Sequence, residues 1–222
     1  MARGRAPGYD TQREDILARA AGLFATRGYP GTSMNEVAKA CGVSKPALYH
    51  YVRDKSQLLA EIATGHVTRL QALVEEVTAL DLPPETCLRQ LIERFVEEYA
   101  GARNAHRVLT EDVKFLDPID QERVLSVQRK VVTAFAQAVA RARPELVAAS
   151  LNKPLTMLLF GMMNWMFTWL QPEGKLSHSQ MAPVVADLFL GGLGAVRLDP
   201  VAKTPIRRTR PAQPTLKNGE MQ

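Results

Sequence analysis

Hydrophobic residues recur at intervals of three and four along nearly the whole chain, and this periodicity constrains the fold more than any other feature. The first helix, expected from about Thr11 to Arg27, shows it clearly, with apolar residues on one stripe: Ile16, Leu17, Ala20, Leu23 and Phe24. No segment combines strict alternation of apolar and polar residues with β-branched residues between turn signals. The sequence therefore predicts an all-α fold.

Three further helix starts are marked by a capping side chain that is followed three residues later by Glu or Gln. These pairs are Ser33 with Glu36, Asp54 with Gln57, and Ser177 with Gln180. They predict a short helix from Met34, a long helix that runs to about Ala79, and a last helix that runs to about Val196.

The short helix from Met34 is expected to end at Gly42, which can adopt the left-handed conformation of a sharp turn. Ser44 then caps a third helix that carries Pro46 in its first turn, where a missing N–H costs nothing. Two short helices joined by a glycine-containing turn form a helix-turn-helix. Such a unit can place its second helix in the major groove of DNA, although the same geometry also occurs as a plain corner between helices.

Further helices are expected at about 85–100, 105–114, 118–143 and 152–171, so the chain divides into three parts. We predict a DNA-binding domain at 1–55, a ligand-binding and dimerisation domain at 56–198, and a disordered basic tail at 199–222, where prolines alternate with polar residues. The composition of the 222 residues, 46% hydrophobic and 23% charged, excludes disorder throughout.

Charge is distributed unevenly along the chain. The net charge is +4 over residues 1–55, −2 over 56–198 and +3 over 199–222. A basic head and tail around a slightly acidic body are expected when one end meets a polyanion, but a solvated surface with a basic tail would look the same. Two distant cysteines and the lack of an apolar signal segment lead us to expect a cytoplasmic protein.

The third helix offers hydrogen-bond donors on a compact surface. Lys45, Tyr49 and His50 supply those donors, and Ala47 is small enough to contact a thymine methyl group. Thr32 and Ser33 stand at the start of the second helix, where free N–H groups and the helix dipole favour a phosphate.

The segments TSMNEVA (32–38) and GVSKPALYHYVRDK (42–55), within the stretch 11–59, closely resemble the tetracycline-repressor (TetR) family of bacterial transcription regulators. The resemblance implies a three-helix DNA-binding domain, a helical ligand-binding domain and a homodimer on a palindromic double-stranded DNA operator. By motif position it implies phosphate contacts and a base-reading surface made by Thr32, Ser33, Ser44, Lys45, Pro46, Ala47, Tyr49, His50 and Lys55. One departure is Val52, where the family usually has Phe.

The stretch LTMLLFGMMNWMFTWL (155–170) is apolar around the whole helix circumference, so this helix must be buried on several sides. It is shorter than the roughly 20 residues that a membrane span needs. We expect one face in the core and another in a four-helix dimer interface with the last helix, as the family resemblance implies. Its methionines suit either a ligand pocket or simple gap filling.

Asn164, Trp165 and Trp169, followed by Pro172 and Gly174, resemble TetR regulators that sense acyl-CoA thioesters, including regulators of fatty-acid and phenylacetate degradation. That resemblance implies an apolar acyl group, such as that of phenylacetyl-CoA, and basic residues that meet the CoA phosphates. The residues implied are Phe95, Tyr99, Met162 and Trp165 for the acyl group and Arg103 and Arg107 for the phosphates.

The remaining titratable residues suggest no catalytic or metal site. We interpret His66 and His106 as solvated surface residues and Cys41 as a small buried one. No nucleophile elbow, phosphate loop, zinc motif or dinucleotide fingerprint is present, so an enzyme, a cofactor and a bound metal are not expected. The leading hypothesis is a repressor released by a small-molecule effector, and the alternative is an architectural DNA-binding protein without one.

Overall fold

The computed structural model describes residues 8–171 and 174–197, and in that part of the chain every regular element is helical, as predicted. The long helices are α1 (Tyr9–Arg27), α4 (Lys55–Thr78), α5 (Pro84–Gly101), α7 (Pro118–Ala142), α9 (Asn152–Trp169) and α10 (His178–Ala195). The shorter ones are α2 (Met34–Cys41), α3 (Lys45–Leu48), α6 (Arg103–Glu111) and α8 (Glu145–Ala148), together with a 3₁₀ turn at Val113–Phe115.

The capping side chains begin their helices where the sequence predicts. Ser33 and Ser177 form complete capping boxes with Glu36 and Gln180. Asp54 accepts a hydrogen bond from the Gln57 backbone N–H at 2.8 Å, but the Gln57 side chain accepts from Arg53 N–H rather than from Asp54. Helix starts can therefore be predicted from local sequence, because the groups that satisfy them lie within one turn.

The turn between α2 and α3 depends on Gly42. Its φ of 68° lies in the left-handed region, and its N–H bonds to the Ala38 and Lys39 carbonyls to close α2. Val43 then packs partly against the core, and Ser44 accepts a hydrogen bond from Ala47 N–H at 3.3 Å to start α3. The predicted helix-turn-helix is confirmed.

A single apolar core runs from the three N-terminal helices into the body through α4. Near its start α4 buries Leu58 and Leu59, and farther along it buries Leu70 and Val74 within the same cluster. In the body, α5 packs against α7 and α10, while α7 packs against α4 and α9. Because α4 serves both parts, the division at residue 55 stays a prediction.

Three expectations need correction. His66 and His106, interpreted as surface residues, are only 5% and 2% exposed, and Cys41 is half-buried rather than buried. The two histidines occupy the inner sides of α4 and α6, where they face each other. The predicted tail, and Pro172 in the acyl-CoA resemblance, lie outside the described residues. None of the helices described is long and apolar enough to cross a lipid bilayer.

Candidate nucleic-acid interface and ligand cavity

The outer face of α3 and of the turn that follows it is open to solvent. Lys45, Pro46, Tyr49 and His50 are exposed and Ala47 is half-buried, whereas Leu48 is completely buried. Leu48 therefore holds the helix to the core while its neighbours stay accessible. An exposed, cationic and donor-bearing short helix on a fixed base can enter a DNA major groove.

Residues that follow α3 fix its position against α1. The ring of Tyr51 stacks on that of Tyr9 with centroids 4.9 Å apart, and the Tyr9 hydroxyl donates to the His50 carbonyl at 3.3 Å. Val52 is buried beneath this turn. The smaller residue at position 52 therefore still fills an inward position.

The N-terminus of α2 is partly occupied by its own capping residue. Glu36 accepts hydrogen bonds from the Ser33 backbone N–H at 2.8 Å and from the Ser33 hydroxyl at 2.9 Å, and these bonds lower the pKa of Glu36. Ser33 is exposed beside them. Thr32 is only 2% exposed, and its hydroxyl donates to the Gly28 carbonyl at 3.0 Å. Of the two residues, Ser33 is the one that a phosphate could reach.

Lys55 lies at the same edge but is engaged within the protein. Its ammonium group donates to the carbonyls of Tyr29 and Thr32 at 2.9 and 2.8 Å and lies 4.3 Å from the centre of the Tyr29 ring. This ammonium therefore fastens the start of α4 to the loop between α1 and α2.

The same loop meets the body at Tyr29. The ring of Tyr29 stacks on Phe115 with centroids 5.7 Å apart, just after α6. Asp112 is buried nearby, and burial raises the pKa of its carboxyl while hydrogen bonding from the Tyr29 backbone opposes the rise. Helix α6 is therefore joined at its C-terminal end to the DNA-binding helices.

A cavity of about 460 Å³ lies inside the body between α4, α6, α7 and α9. Its walls are mainly apolar, formed by Val67, Leu70, Leu109, Leu125, Val131, Val132, Met157 and Phe160. The polar lining residues are Tyr99, His106, Thr110, Gln128, Arg129, Thr133, Lys153 and Asn164. This volume and this largely apolar lining are typical of small-molecule sites.

Four residues of α9 lie in a row along the length of the cavity. Lys153, Met157, Phe160 and Asn164 line it at helical spacing, so Lys153 and Asn164 are separated by about 16 Å along the helix at 1.5 Å per residue. Lys153 is exposed at one end of this row, and we call it the cationic end of the cavity. Arg129, paired with Glu122, is exposed where α7 borders the cavity.

At the other end of the row two histidines face each other. His66 Nε2 and His106 Nδ1 are 3.2 Å apart, and the Tyr99 ring stacks on His106 with centroids 3.6 Å apart. Burial lowers the pKa of His66 to about 4. Burial and the neighbouring His66 lower the pKa of His106 to about 3, against a hydrogen-bonding contribution from Asn164. Both rings are therefore neutral near pH 7. We call His106 and Asn164, with His66 behind them, the neutral polar end.

The residues that the acyl-CoA resemblance implies are scattered. Tyr99 lines the cavity, and Phe95 is fully buried behind it with ring centroids 5.9 Å apart. Met162 is half-buried outside the cavity lining, and Trp165 is 67% exposed. Arg103 donates to the Phe167 carbonyl at 2.8 Å and Arg107 pairs with Glu111 at 3.0 Å, and neither lines the cavity.

An apolar strip covers the outer faces of α9 and α10. Its members are exposed large residues at helical spacing on each helix: Leu158, Trp165 and Trp169 on α9, and Val184 and Leu188 on α10. Gly161 lies between the first two, and a Cβ atom there would meet nothing within 4 Å. Exposed apolar areas of this kind mark interaction surfaces.

Comparison with known proteins agrees with this architecture. Residues 16–62 match the model described as "Bacterial regulatory proteins, tetR family", and residues 81–193 match "Tetracyclin repressor-like, C-terminal domain". The transcriptional repressor KstR2 of Rhodococcus jostii is 29% identical over 109 residues, which are 49% of this chain and 53% of KstR2. The chain therefore spans about half the length of this curated relative.

Solved structures share the fold over most of the chain. A TetR-family transcriptional regulator from Bordetella parapertussis superposes with a TM-score of 0.78 and 33% identity, covering 84% of this chain and 98% of that one. AibR, solved in complex with isovaleryl coenzyme A and operator DNA, superposes with a TM-score of 0.69 and 25% identity, covering 80% and 97%. Because a family model spans half of the chain and a relative of the same fold spans most of it, the chain belongs to the TetR family of bacterial transcriptional regulators.

Proposed function

We propose that this protein is a dimeric transcriptional repressor that leaves a palindromic operator when a small-molecule effector enters the cavity. The proposal rests on one observation: the DNA-binding helix α3 and the cavity are joined through α4. The exposed α3 precedes α4 directly, and α4 contributes Val67 and Leu70 to the cavity wall. Occupancy of the cavity and the position of the DNA-binding helices are thereby connected.

Two routes support the coupling. Helix α4 leads from the cavity to Lys55 and its clamp on the loop that carries Tyr29. Helix α6 lines the cavity with His106, Leu109 and Thr110 and ends at the contact between Phe115 and Tyr29. An effector that fits only a shifted arrangement of α4 and α6 would favour that arrangement in proportion to its differential affinity. The two α3 helices of a dimer would then no longer match major grooves about 34 Å apart.

For the effector we propose an acyl-CoA thioester, with phenylacetyl-CoA as one example. The apolar wall suits an acyl group, and the cationic end at Lys153 suits the phosphates of CoA. Lys153 takes the role that the resemblance gives to Arg103 and Arg107, which are engaged elsewhere. The similarity to AibR, solved with isovaleryl coenzyme A, supports the same chemistry.

The dimer would form through the apolar strip on α9 and α10. Pairing these two helices with their copies around a two-fold axis would bury the strip in a four-helix contact. Such pairing also explains why α9 is apolar on faces that do not meet the core of its own chain.

The DNA-binding role can be tested with two substitutions, one at Lys45 on α3 and one at Tyr49 just after it, and a control. Selection of bound duplexes from a random pool would first give the operator, and its half-site spacing would report the dimer geometry. Tyr49→Phe should then weaken binding to operator and random DNA by the same factor, because a phosphate contact carries no sequence information. Lys45→Ala should lose more affinity for the operator than for random DNA.

Lys130→Ala is the charge-matched control, because Lys130 is an exposed lysine on α7, far along the chain from α3. It should leave the affinities for operator and random DNA close to wild type. Equal losses on operator and random DNA for Lys45→Ala would contradict its base-reading role. Failure to select any common sequence would contradict the proposal of a specific operator.

The effector role can be tested by adding phenylacetyl-CoA, isovaleryl-CoA and dodecanoyl-CoA to the operator complex. At least one should release the DNA at a concentration that leaves a Lys153→Gln variant bound, since that variant loses the charge of the cationic end. A complex that resists all three thioesters would exclude this effector class and leave DNA binding intact.

A further inference from the structure

Two neighbouring polar atoms at the neutral polar end of the cavity, His106 Nε2 and Asn164 Oδ1, are buried and make no hydrogen bond of normal geometry, although the Asn164 side chain lies close enough to His106 to influence its pKa. The other such atom found among the described residues, Glu61 Oε2, lies 2.5 Å from the Arg13 guanidinium and is accounted for by that ion pair. Buried polar groups are almost always hydrogen-bonded, so two neighbours that are not require an explanation. Both residues belong to the cavity lining.

The surroundings of these two atoms restrict what could satisfy them. The depressed pKa values of His66 and His106 keep both rings uncharged, so no cation stands ready there for a carboxylate or phosphate. A metal ion is not favoured, because no third His, Cys, Asp or Glu joins the pair to form a metal-binding group in the described part of the chain. The remaining candidates are neutral groups that form hydrogen bonds.

We propose that the neutral polar end binds a hydroxyl group at the far end of an apolar ligand whose anionic end lies at Lys153. This inference rests on the proposed role of the cavity as the effector site and specifies the chemistry of the effector. It adds a second polar group to the ligand, on the part of the molecule that would otherwise be purely apolar.

A hydroxyl group suits this pair better than a carbonyl does. Asn164 offers an acceptor oxygen, which a carbonyl cannot satisfy and a hydroxyl hydrogen can. If His66 donates to His106 Nδ1, the Nε2 of His106 carries a proton and can donate to the hydroxyl oxygen; with the opposite tautomer, Nε2 is an acceptor. A hydroxyl group both donates and accepts, so it can bond either form.

Neither atom is accessible to solvent in this arrangement, so a ligand can bond to them only after a small side-chain movement. The last torsion of the Asn164 side chain is soft, and rotation about it is the movement we expect. The separation of about 16 Å between Lys153 and Asn164, at 1.5 Å per residue, sets the distance between the two polar groups of the ligand.

The proposal can be tested with ω-hydroxydodecanoate and dodecanoate, two acids that differ only by the terminal hydroxyl. Their binding to the full-length protein is measured by calorimetry near pH 7 without DNA. The hydroxy acid should bind about tenfold more tightly, because a site built to bond a hydroxyl penalises the analogue that lacks it. Equal affinities, tighter binding of dodecanoate, or no binding of either acid at millimolar concentration would overturn the proposal.

Two variants and a control localise the effect. Asn164→Leu and, independently, His106→Phe should each make the two acids bind with similar affinity. Each variant removes one hydrogen-bonding partner of the hydroxyl. Thr133→Val removes a hydroxyl elsewhere in the cavity lining and should keep the tenfold preference. A preference that survives both Asn164→Leu and His106→Phe would place the hydroxyl elsewhere and overturn the assignment.

Together with the operator-release assay described above, this calorimetry separates the inference from the proposed function. A protein that prefers the hydroxy acid but binds no operator would retain the inference and lose the function. An operator complex released by a thioester, from a protein that binds both acids equally, would retain the function and lose the inference.

Discussion

Lys45 and Lys55, ten positions apart, have the same side chain but different surroundings. Lys45 is exposed on the outer face of α3, whereas the ammonium of Lys55 bonds two carbonyl oxygens and lies over an aromatic ring. Both were predicted to contact DNA from the motif alone. The motif could not show the clamp, because its acceptors lie 26 and 23 residues earlier in the chain.

Lys55→Met should therefore destabilise the fold even without DNA. The substitution keeps much of the aliphatic length but leaves the Tyr29 and Thr32 carbonyls without their donor, at a cost of about 1–3 kcal/mol in free energy of unfolding. Urea denaturation measures the loss. Lys45→Met is the matched control and should change stability by less than about 0.5 kcal/mol, as is usual at exposed sites. Equal stability of the two variants would argue against a structural clamp.

The buried histidines give the protein an acid-sensitive stability. Because the folded-state pKa values of His66 and His106 are lowered to about 4 and about 3, the unfolded chain binds more protons than the native state as the pH falls below about 6.5. Stability should fall with decreasing pH from there toward pH 4, by up to about 1.4 kcal/mol per unit for each histidine.

Urea denaturation at a series of pH values measures this slope. A His66→Leu, His106→Phe double variant should show a flatter profile, since it has lost both groups. A double variant with the wild-type slope would mean that other groups cause the acid sensitivity.

The burial of His66 has a signal in the sequence that the surface interpretation overlooked. His66 lies four residues from Ile62 and four from Leu70, and both are buried on the same side of α4. A residue flanked in this way belongs to the apolar stripe whatever its polarity. The partner of His66, 40 residues away, could not have been predicted, because no local pattern joins α4 to α6.

At the level of elements, α3 is only four residues long and depends on its cap. Ser44 accepts from Ala47 N–H, and Leu48 anchors the helix to the core. Ser44→Ala should reduce the free energy of unfolding by about 1 kcal/mol, the usual cost of losing an N-cap. The loss is measured by chemical denaturation.

Ser44→Asp separates capping from DNA binding. Aspartate caps as well as serine, so stability should stay near wild type, but its charge would face the phosphates and weaken binding to operator and random DNA alike. If Ser44→Asp bound DNA as tightly as wild type, this edge of α3 would not lie against the backbone.

The long helices were predicted within a few residues because caps, prolines and glycines mark their ends. The short α8 and the 3₁₀ turn at Val113–Phe115 were missed, since neither has a strong local signal. The sequence predicts a ligand site in the body, but of the residues predicted to form it only Tyr99 lines the cavity. Which residues meet inside a bundle depends on how helices rotate against one another, and periodicity gives only the buried face of each.

For the molecule as a whole, the apolar strip on α9 and α10 sets the expected assembly. Leu188→Arg should convert the dimer to monomers, because a charge placed in a desolvated two-fold contact meets its own copy. Sedimentation equilibrium measures the change in mass. Ile119→Arg is the control, since Ile119 is 76% exposed outside the strip and its replacement should leave the dimer intact. A dimeric Leu188→Arg variant would place the interface elsewhere.

Helix α9 contributes to two surfaces with different faces: Lys153, Met157, Phe160 and Asn164 line the cavity, and Leu158, Trp165 and Trp169 form the outer strip. After gene duplication, a paralogue that adapts this helix to a new effector would also alter the backbone of the proposed dimer contact. Inducer preference and the avoidance of mixed pairing would then diverge together, which gives duplicated regulators in one cell a route to insulation.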